Sequence, residues 1–111
     1  MTNNEFDKYQ AWVKNAWFAS GSKEFSKRDI MIMGFGLAGE TGEVMEYLKK
    51  LERDGKEDRE HLKKELGDVL YYLAMIGETF GIPLSEVVAG NQEKLNGRIE
   101  RGTLQGSGND R

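Results

Sequence analysis

Cysteine is absent from this 111-residue chain, and proline and histidine each occur once. Without cysteine there is no disulfide framework, no thiolate zinc site and no cysteine nucleophile. A single histidine, His61, argues against a multi-histidine metal site and against a Ser-His-Asp triad. No apolar run approaches the ~20 residues that cross a bilayer, so no membrane partner is expected. Basic excess is missing too: 16 Lys and Arg against 19 Asp and Glu leave a net charge of -3, which disfavours a general nucleic-acid binder. The first ten residues, MTNNEFDKYQ, hold no basic stretch leading into an apolar one, so nothing marks export and a cytoplasmic location is expected. What is present is 32% charged, 38% hydrophobic and 10% aromatic residues, enough apolar material for a folded chain of one domain. Its chemistry has to run on carboxylates, hydroxyls, lysine and arginine.

Apolar spacing of three and four residues predicts an all-α, four-helix chain. Phe6, Tyr9, Trp12, Val13, Ala16 and Trp17 form the stripe of a first helix from Asn4 to about Ala19, and GSKEFSKRD breaks it. A second helix starts near Asp29, carries Ile30, Met33, Leu37, Val44, Leu48 and Leu51 on one face, and stops before Asp54 and Gly55. The third runs from about Asp58 with Leu62, Leu66, Val69, Leu73, Ile76 and Phe80 inward, ended by Gly81 and Pro83. Ser85 is the expected N-cap of a fourth helix that reaches about Arg101. Residues 1–101 thus form the domain and residues 102–111 a Gly-rich, irregular tail.

Gly34, Gly36 and Gly39 match G-x-G-x-x-G, but no alternation of strands and helices follows, so a dinucleotide-binding turn is set aside. Four glycines between Gly34 and Gly42 still need a reason, because each costs about 1 kcal/mol against alanine inside a helix. Either two helices approach closely there, or space is cleared beside acidic side chains for a ligand.

Those acidic side chains are Glu40 and Glu43 on the second helix, and Glu65 and Asp68 on the third, each pair three residues apart. Chance alone supplies about three such pairs in so acidic a chain, and Glu43/Glu46 and Glu57/Glu60 are of that kind. Position relative to the apolar stripe separates the candidates. Glu40 lies between Leu37 and Val44, while Glu65 and Asp68 flank the third stripe with Tyr72 one turn further on. Helices joined by a short turn are antiparallel neighbours, so these faces can converge. Carboxylates at close quarters repel and lose hydration unless a cation sits among them, and an all-oxygen ligand set favours Mg²⁺ or Mn²⁺. The competing reading is a solvated acidic face paired with Lys49, Lys50, Lys63 and Lys64. On the fourth helix Asn91, Lys94 and Arg98 share a face suited to phosphate oxygens, or to solvent near a helix C-terminus.

Taken together, Gly36 to Val44 (G-L-A-G-E-T-G-E-V), Lys64 to Leu73 (K-E-L-G-D-V-L-Y-Y-L) and Asn91 to Arg98 (N-Q-E-K-L-N-G-R) resemble the MazG-like nucleotide pyrophosphohydrolases. The resemblance spans about Asp29 to the C-terminus, and its first two blocks form that family's E-x-x-E then E-x-x-D signature. It implies an all-α MazG-like bundle completed by oligomerisation as a homodimer or a dimer of dimers. It also implies Mg²⁺-dependent hydrolysis of a nucleoside triphosphate to monophosphate and pyrophosphate. On this match Glu40, Glu43, Glu65 and Asp68 become metal ligands and catalytic carboxylates, and Asn91, Lys94 and Arg98 become phosphate contacts; one carboxylate takes the proton of the attacking water, and between Glu43 and Glu40, which no sequence feature separates, Glu43 is the choice. For the base and sugar the candidates are Tyr72 and Trp12, with Trp17 the other first-helix aromatic; core packing is the competing role for both tryptophans. Two other classes remain for comparison. A di-iron carboxylate bundle needs two Glu-x-x-His units, and only Asp58-x-x-His61 comes near. A non-catalytic helical interaction protein would use its acidic faces for solubility and its tryptophans for docking.

Overall fold

Three of the four helices begin on a local side-chain cap, from Asn4, Ser26 and Asp58. The computed structural model describes residues 4–19 and 25–111, so the part of the predicted break at residues 21–24 lies outside the described residues. Four helices are present: α1 (Glu5–Phe18), α2 (Lys27–Asp54), α3 (Arg59–Thr79) and α4 (Leu84–Arg101), with no strand among the described residues. Asn4 caps α1 by accepting the Phe6 N–H at 2.8 Å. The second helix begins at Lys27, earlier than expected, because Asp29 is the third residue of a capping box: the Ser26 hydroxyl accepts the Asp29 N–H and the Asp29 carboxylate accepts the Ser26 N–H. Gly55 and Gly102 end α2 and α4 at φ 70° and 71°, a region that glycine enters without steric penalty.

The fourth helix departs from expectation at its start. Its N-cap is Pro83, which has no side chain to offer, and Ser85 is not the cap. The partners come from α1 instead. Asp7 accepts the Ser85 N–H at 2.9 Å and its hydroxyl at 2.7 Å, while Gln10 accepts the Leu84 N–H at 2.7 Å and donates to the Ile82 carbonyl at 3.0 Å. Gln10 is 3% exposed, a buried polar side chain on a helix otherwise read by its apolar stripe. Free N–H groups at a helix start need acceptors, and α1 supplies them from the other end of the chain.

Val13, Met33, Ala74, Met75 and Leu84 form the core, one or two from each helix, with Tyr9, Trp17, Phe25, Tyr71 and Ile76 around them. The α2/α3 pair packs most extensively, α1 lies on α3, and α4 rests on α1. The inward face of α3 is not the expected one. Ala74, Met75 and Gly77 are buried, whereas Leu66, Leu73 and Phe80 of the predicted stripe are 52%, 44% and 62% exposed. On α2, likewise, Met33 is buried but Ile30 and Leu48 of the stripe are exposed, as are Met31, Ile32, Phe35 and Met45. Both long helices therefore carry more apolar surface than one chain covers. The radius of gyration of 16.7 Å exceeds the ~13 Å of a compact chain of this length.

Candidate metal centre

Residue spacing on two helices and the packing between them bring three carboxylates together. Glu40 projects from the middle of α2; Glu65 and Asp68, one turn apart on α3, face it, and one oxygen from each lies within 4.8 Å of the others. Glu40 and Glu65 are half-buried and Asp68 is exposed. Burial first, then the charges of Asp68, Glu65 and Glu43 together with a hydrogen bond to Glu65, hold the Glu40 carboxyl above its ordinary value. None of the lysines proposed as neutralisers reaches this group. Lys49 and Lys50 pair with Glu46 and Lys63 with Glu60, so among the described residues no lysine or arginine compensates the triad. Three crowded oxygen donors without a nitrogen or sulfur ligand fit a hard divalent cation.

Glu43 stands apart from the triad. It is exposed, yet near enough for its charge to act on Glu40, and it lines a cavity of about 330 Å³ with Tyr47, Lys50 and His61. Asp58, the near match to a di-iron unit, serves as the N-cap of α3, its Oδ1 accepting the His61 N–H at 3.1 Å.

Aromatic side chains sit on one flank. Tyr72 is half-buried and its ring lies across Gly36 of α2, where a Cβ would overlap it; the ring also meets Trp17 and Tyr71 edge-on at 6.4 and 5.3 Å. Close packing thus accounts for Gly36, whereas Gly34, Gly39 and Gly42 face open space. Trp12 is 62% exposed and stacks on Tyr9 at 6.1 Å. Burial first, then the Asp68 charge, push the Tyr9 phenol pKa up, so this first-helix ring feels the carboxylates although nothing in the pattern singled it out.

The basic set on α4 is divided. Asn91 and Lys94 are exposed, but Arg98 is 5% exposed and turned into the chain's end, its Nη2 donating to the Gly108 and Asn109 carbonyls at 3.3 and 3.1 Å. Its Nε has no partner among the described residues. The tail is non-helical yet tied down: Thr103 Oγ1 donates to the Arg111 main-chain oxygen at 2.6 Å, and the Arg111 guanidinium donates to the Thr103, Leu104 and Gly108 carbonyls. Arginine at this position reads as solvent-facing only while the tail is assumed to lie elsewhere.

Among the described residues no single helix is long and apolar enough to cross a membrane. Among curated proteins the chain is 42% identical over 81 residues to the Gene 37 protein of Mycobacterium phage L5, covering 68% of this chain and 71% of the relative. It is 29% identical over 101 residues to the uncharacterized protein YvdC of Bacillus subtilis (strain 168), covering 82% and 92%. No solved structure matches it. The family model of the MazG nucleotide pyrophosphohydrolase domain matches residues 31–102, a span that contains the whole carboxylate triad and all of α3 and α4. The chain belongs to the MazG nucleotide pyrophosphohydrolase family.

Proposed function

We propose that this protein hydrolyses a nucleoside triphosphate to the monophosphate and pyrophosphate with Mg²⁺, for which Mn²⁺ substitutes. The observation that carries the reading is the uncompensated triad of Glu40, Glu65 and Asp68, drawn from two helices within the matched domain. These three hold the cation. When bound, a divalent cation there offsets phosphate charge and makes a nearby water more acidic. Glu43, outside the triad and exposed, takes the proton of the water that attacks the α-phosphorus; the bond from that phosphorus to the bridging oxygen breaks and pyrophosphate leaves. Lys94 and Asn91 meet the β and γ phosphates from the open face of α4. Arg98 orders the tail behind them. The exposed face of Trp12 stacks on the base, with Tyr9 alongside, while Tyr72 fixes the aromatic wall by its seat on Gly36.

Assembly completes the site. Because α4 rests on α1 and the triad lies between α2 and α3, Lys94 serves the triad of a second copy in a homodimer or a dimer of dimers. The accessible surface of 8428 Å² exceeds by about 2,200 Å² that of a compact monomer of this mass, more than the ~800 Å² that one partner contributes to a standard interface. The same apolar faces suit a non-catalytic interaction module, but such a module has no use for an uncompensated acid triad. The test is a panel of canonical and modified triphosphates with Mg²⁺, followed by phosphorus NMR. Monophosphate and pyrophosphate are the expected first products, and early orthophosphate with a nucleoside diphosphate overturns the reading.

A further inference from the structure

His61 is the chain's one histidine, and it lies one helical turn before Glu65, its Nε2 3.3 Å from the Glu65 Oε1. One face of the imidazole is covered, and the main chain beneath it is fixed. Its ring stacks on Tyr47 with centroids 5.9 Å apart and planes 20° from parallel. Tyr47 is 8% exposed, and its hydroxyl accepts the Asp58 N–H at 2.8 Å. Asp58 in turn caps the His61 N–H. In the first turn of α3 the ring thus brings one nitrogen beside a carboxylate that two other carboxylates repel.

We propose that His61 is a positioning residue for Glu65: its Nε2–H holds the carboxylate in the triad, with Tyr47 fixing the ring, so that the ligand set is already assembled when a cation arrives. The inference rests on the metal reading above. Without this contact only the hydrogen bond to Glu40 opposes the repulsion that favours separation of Glu65 from the other carboxylates; its side chain is 14% exposed and has no lysine or arginine partner among the described residues. Neighbours that orient a metal ligand typically change metal affinity by about 10–100-fold when they are removed.

Two substitutions separate donor from packing. His61→Phe keeps a ring to stack on Tyr47 and loses the donor, while His61→Gln places an amide N–H near the same point and loses the ring. Binding of Mn²⁺ alone to the full, tag-free chain, followed by water-proton relaxation at a temperature where circular dichroism shows every variant folded, is expected to weaken about tenfold in His61→Phe and to stay within about threefold of wild type in His61→Gln. Because the chain has one histidine, its imidazole proton signals are unambiguous, and Mn²⁺ bound at the triad should broaden them in the wild type. Equal affinity in His61→Phe and wild type overturns the proposal, as does Mn²⁺ binding that leaves the imidazole signals sharp. A wild-type chain that binds no Mn²⁺ overturns the metal reading itself, and this inference with it.

Discussion

Replacing Asp68 with asparagine should make the metal-free protein more stable and abolish its response to Mg²⁺. The triad oxygens lie within 4.8 Å of one another, so each pair of full charges repels by at least about 0.9 kcal/mol in bulk water and about 3.5 kcal/mol at an effective dielectric of 20. Asp68 is exposed, and salt at physiological strength screens over about 8 Å, so the lower figure governs its two pairs. Removing its charge therefore relieves about 1–2 kcal/mol, which in a domain of this size raises the melting temperature by about 4–8 °C. Asparagine keeps the volume and the helix, so packing does not obscure the sign. Calorimetry of both proteins in chelator, then in Mg²⁺ up to 10-fold over the wild-type half-effect, reads both parts: the wild type rises on adding the ion because binding favours the native state, and Asp68→Asn does not. An Asp68→Asn protein no more stable than wild type in chelator, or one that Mg²⁺ stabilises equally, refutes the reasoning.

The raised Glu40 carboxyl has a pH signature with a definite sign. Because the folded state binds that proton more tightly than the unfolded state, the stability of the metal-free chain falls as pH rises from the ordinary carboxylate range through the raised value, and Glu40→Gln flattens this slope in urea titrations. Gln10→Ala strands the buried Leu84 N–H and the Ile82 carbonyl, costing about 2–5 kcal/mol, and a loss below about 1 kcal/mol in urea unfolding contradicts the account of how α4 begins. Light scattering should find the wild type larger than a monomer at micromolar concentration, and Leu66→Glu with Leu73→Glu, on the exposed face of α3, should shift it toward monomer.

Much of this molecule is legible in its residue order, and what is not has a common cause. Period and stop signals locate the helices because they are local: Gly55 and Gly102 end theirs with no help from elsewhere, whereas the start of α4 is capped from α1. Acid spacing beside the apolar stripe marks Glu40, Glu65 and Asp68 for the same reason. Periodicity says that a face is apolar, however, not what covers it, so Leu66 and Leu73 read as core although Ala74 and Met75 hold that place. Gln10, Asp7 and Arg98 were illegible in a stronger sense. Each is a polar residue whose partner is main chain from a distant segment or from the folded-back tail, and main-chain groups leave no trace in composition. Tyr9 feels the Asp68 charge only through the docking of α1 on α3.

The capping of α4 by α1 also sets an order of events. Asp7 and Ser85 are 78 positions apart, and closing a flexible loop of that length from the unfolded chain costs about 4 kcal/mol of entropy before any bond forms. The turn between α2 and α3 closes over a few residues, so that pair assembles first and shortens the path between the ends. The clasp then forms last and opens first. Hydrogen exchange should accordingly find the amides of Leu84 and Ser85 released together with those of α1 while the α2/α3 pair stays protected, and a chain cut back past Gln10 forfeits the fourth helix along with the first.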